Sequence, residues 1–585
     1  MKRRWPGWRR TFPRGWHPDP RRREEITLEK IQEGLDEREK EAAAAAFPLF
    51  GQPHHLSVHP GGVVITPGPL TDILPVQWTV KGFLITQFDH QDVEALGLVK
   101  LDLLGIRALT VIARATELIR RWHDPAFDPD TIPDHDAETA AMIRVGDTVG
   151  VFQCESTGAQ RTLRQLQASS IHDLAVANAF FKPGPAMGGM ARHFIHRYRG
   201  VEPVTFLHPA LEPILGKTQG ILLFQEQILR VAREIAGLSW AEADHLRRGM
   251  SKFQSKEMAA MHEAFVAGCQ RPGGPGFTPQ QAEILWEQIM PFAGYGFNQG
   301  HATAYANVSY RSAYLKAHYP AEFLCARLAD EGGFHHPAMY IAEAQRLGMT
   351  VRPPHINFSR YRFNLTWEGE QPVLWMGLGQ VRDLRHKSVA AITQERSRLP
   401  FTSLRDLLNR VELQKKEVTH LIQCGALDRL GPSRAALLAD WEKVDRGGSA
   451  GQMAFVFHDA VVAYEESVEE RLAWEKRLLG WPVSVTPLDS LRDRLGKAVP
   501  LSQLAQKNGQ KVVIAGYRLP GWTGGDGFYL GDGQSYVVVK PDRAMKVRQS
   551  SRSPKPWQVV GVRGRVVTDE WGDHWFAAEA IHPIE

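Results

Sequence analysis

The apolar residues of this chain change period along its length, and the last change constrains the fold most. From about residue 510 they alternate, in "KVVIAGYRL", "SYVVVK", "QVVGVRGRVV" and "HWFAAEAI". Successive side chains on a strand point to opposite faces, so alternation marks half-buried strands. Several short strands this close together predict a small antiparallel barrel or sandwich. From about 108 to 330 the pattern is mainly helical. Ser239-Trp240-Ala241-Glu242 fits a capping box, with Gly237 closing the preceding helix. Thr278-Pro279-Gln280-Gln281 supplies an N-cap, Pro at the first helical position and Gln three residues on. Residues 55–105, with "GGVVITPGPL" and "GFLITQFD", read as short strands and turns. Residues 351–445 read as short strands followed by helices, and 446–460 is linker-like at its Gly-rich start. No internal repeat of solenoid period occurs. The fold class expected is multidomain α+β.

A chain of 585 residues accommodates several domains. No apolar run reaches the roughly 18 residues of a transmembrane helix, and "MKRRWPGWRRTFPRGW" lacks the apolar core of a secretory signal. Cys154, Cys269, Cys325 and Cys424 are far apart with no CxxC pair, which argues against zinc and disulfide frameworks and fits a reducing cytoplasm. The net charge of +5 permits nucleic-acid binding without requiring it. Residues 1–45 form a basic leader, read as a tail or alternatively as a phosphate-binding arm, followed by a charged helix in "REEITLEKIQEGLDEREKEAAAAA".

Four stretches gather phosphate-seeking groups. Lys182 precedes the rigid turn Pro183-Gly184-Pro185. In "ADHLRRGMSK", Arg247 and Arg248 are adjacent and Lys252 follows one helical turn after Arg248, a cluster able to grip phosphate through forked contacts or to serve as a solvated basic face. "FAGYGFNQGHATAYA" places Tyr295, Phe297, Asn298 and His301 around two glycines near a helix start, where aromatics stack a base or simply pack a turn. Gln225-Glu226-Gln227 opens a helix as a polar first turn.

These strings, in this order, resemble a family. "HPGGVVITPGPLTDILPV", "QFDHQDVEALGLVKLDLLGIRALTVI", "GVFQCESTGAQ", "KPGP", "ILLFQEQI", "ADHLRRGMSK" and "YGFNQGHATAYANVSYRSAYLKAHYPAEF" are similar to the alpha subunit of bacterial DNA polymerase III, a C-family polymerase. The likeness continues through "VRPPHINFS", "LIQCGALDRLG" and "RLAWEKRLLGWPVS" and covers roughly residues 50 to 585. Beyond the basic leader and charged helix read at 1–45, it implies the C-terminal part of a palm at 46–107 and largely helical fingers at 108–350. After these come a helix-hairpin-helix or little-finger region at 351–445, a clamp-binding segment and linker at 446–509, and an OB-fold barrel at 510–585.

The resemblance also implies chemistry. Two Mg²⁺ ions, roughly 3.5–4 Å apart and sharing carboxylates, join deoxynucleotides to a primer 3′ hydroxyl. Asp102, a lone carboxylate in the apolar run "GLVKLDLLG", matches the third aspartate of the family's palm triad, with Lys100 beside it to neutralise phosphate charge. The first two aspartates of that triad lie in a Pro-Asp-x-Asp motif upstream of the third. Here Pro133-Asp134-His135-Asp136 comes after Asp102 and is read as a helix N-cap. The expectation is therefore a C-terminal portion of an alpha subunit, without the PHP domain or the first part of the palm, and inactive by itself. Lys182, Arg247, Arg248, Tyr295, Asn298 and His301 are carried over as nucleotide-binding, and Lys252, Gly377 and Gly379 as DNA-binding. "QVRDL" departs from the usual Gly-hydrophobic-Gly hairpin beside those glycines. Gln452, Phe455 and Phe457 resemble the peptide that docks in a sliding clamp. Tyr517, Trp522, Phe528 and Tyr529 are candidates to stack single-stranded bases or to fill the barrel core. The partners implied are primer-template DNA, deoxynucleotides, the clamp and a complementary N-terminal chain, with no membrane. Replicative and error-prone roles both fit. The alternatives to half of a split polymerase are a non-catalytic DNA- and clamp-binding remnant, or a fragment of a longer gene.

Overall fold

The structure is a computed structural model that describes residues 27–32, 35–49, 58–103, 105–180, 190–249, 255–290, 297–446, 465–496, 498–542 and 553–584. The chain divides into two compact units, Met1–Ile106 and Arg107–Glu585. Helices of eight or more residues carry numbers below.

In the first unit the expected charged helix is two pieces, Leu28–Gln32 and α1 (Glu37–Ala46). Asp36 starts the second, because its carboxylate accepts from the Glu39 amide while Glu39 reaches back to the Asp36 amide. Strand β1 (Gly62–Ile65) pairs antiparallel with β4 (Val99–Asp102), and β2 (Val76–Trp78) pairs with β3 (Leu84–Thr86). Gly62 stands opposite Asp102, and Val64 opposite Lys100.

The second unit opens with α2 (Arg107–Trp122), whose Val111, Ile112, Ala115 and Ile119 recur at helical spacing and pack with Phe323 and Leu324 of α11 (Pro320–Ala329). Between them run α3 (Ala137–Arg144), α4 (Thr157–Leu166), α5 (Ile171–Phe180), α6 (Met190–Tyr198), α7 (Trp240–Gly249), α8 (Ser255–Cys269), α9 (Pro279–Ile289) and α10 (Gln299–His318). The expected caps form. Ser239 and Glu242 satisfy each other's amides ahead of α7, Gly237 takes a φ of 69°, and Thr278 and Gln281 do the same at α9. α10 buries Ala302, Ala306, Tyr310 and Ala313 against Leu174, Ala177 and Phe180 of α5.

After α12 (Pro337–Arg346), β5 (Thr350–Arg352) lies parallel to β7 (Gln371–Trp375), and β6 (Asn364–Glu368) antiparallel to it. The helices α13 (His386–Arg398), α14 (Lys415–Gln423), α15 (Arg434–Arg446) and α16 (Val468–Leu478) follow. The chain ends in a closed barrel of β8 (Lys511–Leu519), β9 (Phe528–Gly531), β10 (Tyr536–Pro541), β11 (Val559–Thr568) and β12 (His574–Pro583). One feature corrects the antiparallel expectation: β10 and β12 close the barrel in parallel. Ile514, Phe528, Leu530, Val562 and Phe576 fill its interior. Tyr517 and Tyr529 sit in a second cluster with Met339 and Ala342 of α12. Tyr517, Phe528 and Tyr529 are therefore core residues rather than stacking platforms, and of the four aromatics only Trp522, 67% exposed, faces solvent.

Candidate nucleotide and metal site

Asp102 ends β4 and is 44% exposed. Lys100, two residues back on the same strand face, donates its ammonium to the Asp102 carboxylate. That hydrogen bond holds Asp102 below the usual carboxylate range, so it is an anion at neutral pH. His59 was missed in the sequence reading. Its Nδ1 lies 3.9 Å from Asp102 and accepts the Gly61 amide at 3.3 Å. The signal was present in "HPGG": a Cβ on Gly61 would come within 2.2 Å of the Leu103 carbonyl oxygen, so only glycine lets this turn close on the end of β4. Among the described residues no cluster of three His, Cys, Asp or Glu side chains is placed to hold a metal ion. Asp102 with Lys100 and His59 does not by itself constitute a two-magnesium site, because two divalent ions need shared carboxylates and a lysine opposes them.

Asp136 caps α3. Its Oδ1 accepts the Thr139 amide at 2.7 Å and lies 2.9 Å from His318 Nε2, while its own amide donates to the Tyr310 hydroxyl. Burial pushes this carboxyl up, but the Thr139 and His318 hydrogen bonds outweigh it and leave the group below its ordinary value. The "PDHD" string is a helix start.

In the second unit Arg247 projects from α7 and donates from Nε and Nη2 to Asp244 Oδ1, at 3.0 and 2.8 Å, and from Nη1 to Gln225 Oε1 at 3.5 Å. Arg248 lies on the same helix, with its side chain outside the described residues. Asn298 caps α10 by accepting the His301 amide at 2.7 Å. The His301 ring lies 4.0 Å from that of Tyr305 and 5.5 Å from that of Phe297. A backbone bridge joins Phe224 to Phe297, and the Gln225 amide donates to the Phe297 carbonyl at 3.0 Å. Arg247, Asn298 and His301 are thus brought together, although Asn298 and Arg247 are on different helices. An open cleft of about 900 Å³ lies along the first turns of α10, lined by Glu226, Gln299, Gly300, Thr303, Ala304 and Asn307; Arg247, Asn298 and His301 are not among its lining residues. Lys182, Lys252, Tyr295, Gln452, Phe455 and Phe457 lie outside the described residues.

Gly377 and Gly379 have a packing reason. A Cβ on either would meet the Tyr361 carbonyl oxygen, at 2.4 and 2.8 Å, and the Gly379 amide donates to that same oxygen. Beyond them Asp383 takes a φ of 63°, a conformation that favours glycine, and pairs with Lys416 at 2.8 Å. The Arg385 amide donates to the buried Glu417.

A family model of the bacterial DNA polymerase III alpha subunit finger domain matches residues 108–273, and one of the bacterial DNA polymerase III alpha NTPase domain matches 12–105. The latter reaches further toward the N-terminus than the resemblance read from the sequence. A helix-hairpin-helix model matches 348–437. The chain belongs to the bacterial DNA polymerase III alpha family. Curated relatives named DNA polymerase III subunit alpha include those of Thermus aquaticus, 38% identical over 77% of this chain and 38% of the relative, and Escherichia coli, 36% over 81% and 42%. That of Vibrio cholerae is 35% identical over 85% and 46%. The chain spans less than half the length of these polymerase relatives. Among its described residues no helix is long and apolar enough to cross a membrane.

Proposed function

We propose that this chain is a component of a template-directed DNA polymerase, supplying the fingers and part of the palm for transfer of a nucleotide from a deoxynucleoside triphosphate to a primer 3′ end. The carrying observation is the convergence of Arg247 with the capped start of α10, in a chain whose relatives are named as DNA polymerase subunits. Arg247, with Arg248 and Lys182, offsets triphosphate charge, which is worth most where it develops in the transition state. Its guanidinium is now held by Asp244, so phosphate oxygens compete with one carboxylate oxygen for the fork. Tyr295 and His301 flank the base or sugar, and Asn298 caps the helix start that carries His301.

Asp102 is the ligand this chain offers to magnesium, and the other carboxylates come from a complementary chain. What supports a partner is the exposure of the β1 and β4 ribbon: Val63, Ile65, Val99, Leu101 and Leu103 are 44–66% exposed, and an isolated two-stranded ribbon is marginal in water. Lys252 and the region around Gly377 and Gly379 contact primer-template DNA, and Gln452, Phe455 and Phe457 dock in a sliding clamp.

Primer extension tests the reading. The chain alone, with primed template, Mg²⁺ and deoxynucleotides, extends nothing. A complementary chain bearing a Pro-Asp-x-Asp motif restores extension, and Asp102→Asn removes it again. Extension by the isolated chain, or restored extension that survives Asp102→Asn, overturns the assignment. DNA and clamp binding without any restorable extension identifies a non-catalytic remnant.

A further inference from the structure

The turn Gln225-Glu226-Gln227 sends three side chains in three directions. Gln227, 6% exposed, points inward: its Oε1 accepts the Leu223 and Phe224 amides at 2.8 and 3.0 Å, and its Nε2 donates to Thr218 Oγ1 at 2.7 Å. These buried bonds lock the turn to the body of the fingers, because a buried polar group left unpaired is costly. Gln225 points to α7 and accepts from Arg247. Glu226 points to α10, where its carboxylate accepts the Gln299 amide at 2.8 Å.

We propose that Glu226 is a positioning residue: with Gln225 it sets the first turn of α10 in register with Arg247, so that the helix start and the arginine meet one nucleoside triphosphate together. This rests on the nucleotide reading above. The chemistry favours a carboxylate here. α10 is 20 residues long, and its first amides carry the positive end of the helix dipole, so an anionic acceptor binds them more strongly than a neutral one. A carboxylate beside a phosphate pocket also repels phosphate, so it is unfavourable to binding unless its positioning gain is larger. Glu226 takes up the Gln299 amide and Asn298 takes up that of His301. Two acceptors therefore fix the turn, one from within the helix start and one from a residue 73 positions away.

The test uses the full chain with Glu226→Ala, Glu226→Gln and Gln225→Ala. Binding of Mg·dATP is measured by calorimetry, and hydrogen exchange by mass spectrometry of peptides spanning 297–303. Glu226→Ala weakens dATP binding about tenfold and speeds exchange in that segment, with an unchanged melting temperature. Glu226→Gln, which keeps an acceptor of the same length, recovers most of both. Gln225→Ala weakens binding in the same direction, and its effect and that of Glu226→Ala are less than additive in the double variant. Unchanged dATP affinity in Glu226→Ala overturns the proposal, as does unchanged exchange at 297–303. If the unaltered chain binds no dATP while Glu226→Ala still speeds exchange, the bond is real but the nucleotide reading falls, and the positioning role with it.

Discussion

At the scale of single residues, buried histidines give this chain a measurable pH dependence. His355 is 5% exposed; its Nε2 lies 2.8 Å from the Asp428 carbonyl oxygen and its Nδ1 accepts the Asn357 amide, an arrangement that the neutral ring satisfies completely. Burial lowers its pKa, and that of His335 likewise. The unfolded chain therefore takes up protons first as pH falls, so the stability contributed by the neutral rings is complete above about pH 6.5 and declines below it. The urea midpoint of unfolding is expected to drop between pH 7.5 and pH 5.5, and His355→Gln to flatten that slope. Carboxylates such as Glu417, held at about 2 by Arg385 and Ser388 against the opposing effect of burial, lose their contribution only at more acid pH. None of this was legible in the sequence, where a lone histidine carries no periodic signal. The caps at Ser239, Thr278 and Asp136 were legible, because an N-cap is decided within four residues.

At the scale of elements, two joints decide whether strands and helices hold their places. The first is the turn before β1. Gly61→Ala would drive a Cβ into the Leu103 carbonyl, so the β1 and β4 pairing is expected to open. Faster hydrogen exchange at 99–103, with the barrel unaffected, checks it. The second joins α10, α12 and the barrel. Lys316, 3% exposed, lies 2.6 Å from Glu343 and 3.1 Å from Asp147; Arg346 pairs with both acids, and Tyr536 of β10 donates to Glu343 at 2.9 Å. Breaking a buried pair by removing one partner typically costs about 3–5 kcal/mol. Lys316→Met is expected to lower the midpoint of the thermal transition that reports on the barrel and α12 by several degrees, and an unchanged midpoint would show that the joint contributes little. The strands around this joint were legible from their alternation. The parallel closure of β10 on β12 was not, because alternation fixes which face a residue takes and says nothing of strand direction.

At the scale of the whole molecule, the proposed activity and the proposed docking separate experimentally. Gln452→Ala with Phe457→Ala is expected to weaken binding to a sliding clamp at least tenfold in a pull-down or plasmon resonance measurement, while leaving DNA affinity unchanged, since a short docking peptide concentrates its energy in a few anchors. Unchanged clamp affinity returns 446–460 to the role of a linker. The sequence by itself determined the helical run of the fingers, the alternating strands of the barrel, the helix caps and the family, because each is written in residues adjacent in the chain or in strings of family order; the helices His90–Ala95 and Val468–Leu478 fall in stretches read as strands and turns and as linker. Only the tertiary structure decided that Tyr517, Phe528 and Tyr529 are core, that His59 faces Asp102, and that the Gln225–Gln227 turn ties Arg247 to the start of α10. These are contacts between distant segments. A hydrogen bond across 73 positions leaves no local propensity or period behind, so it becomes visible only when packing has brought its two ends together.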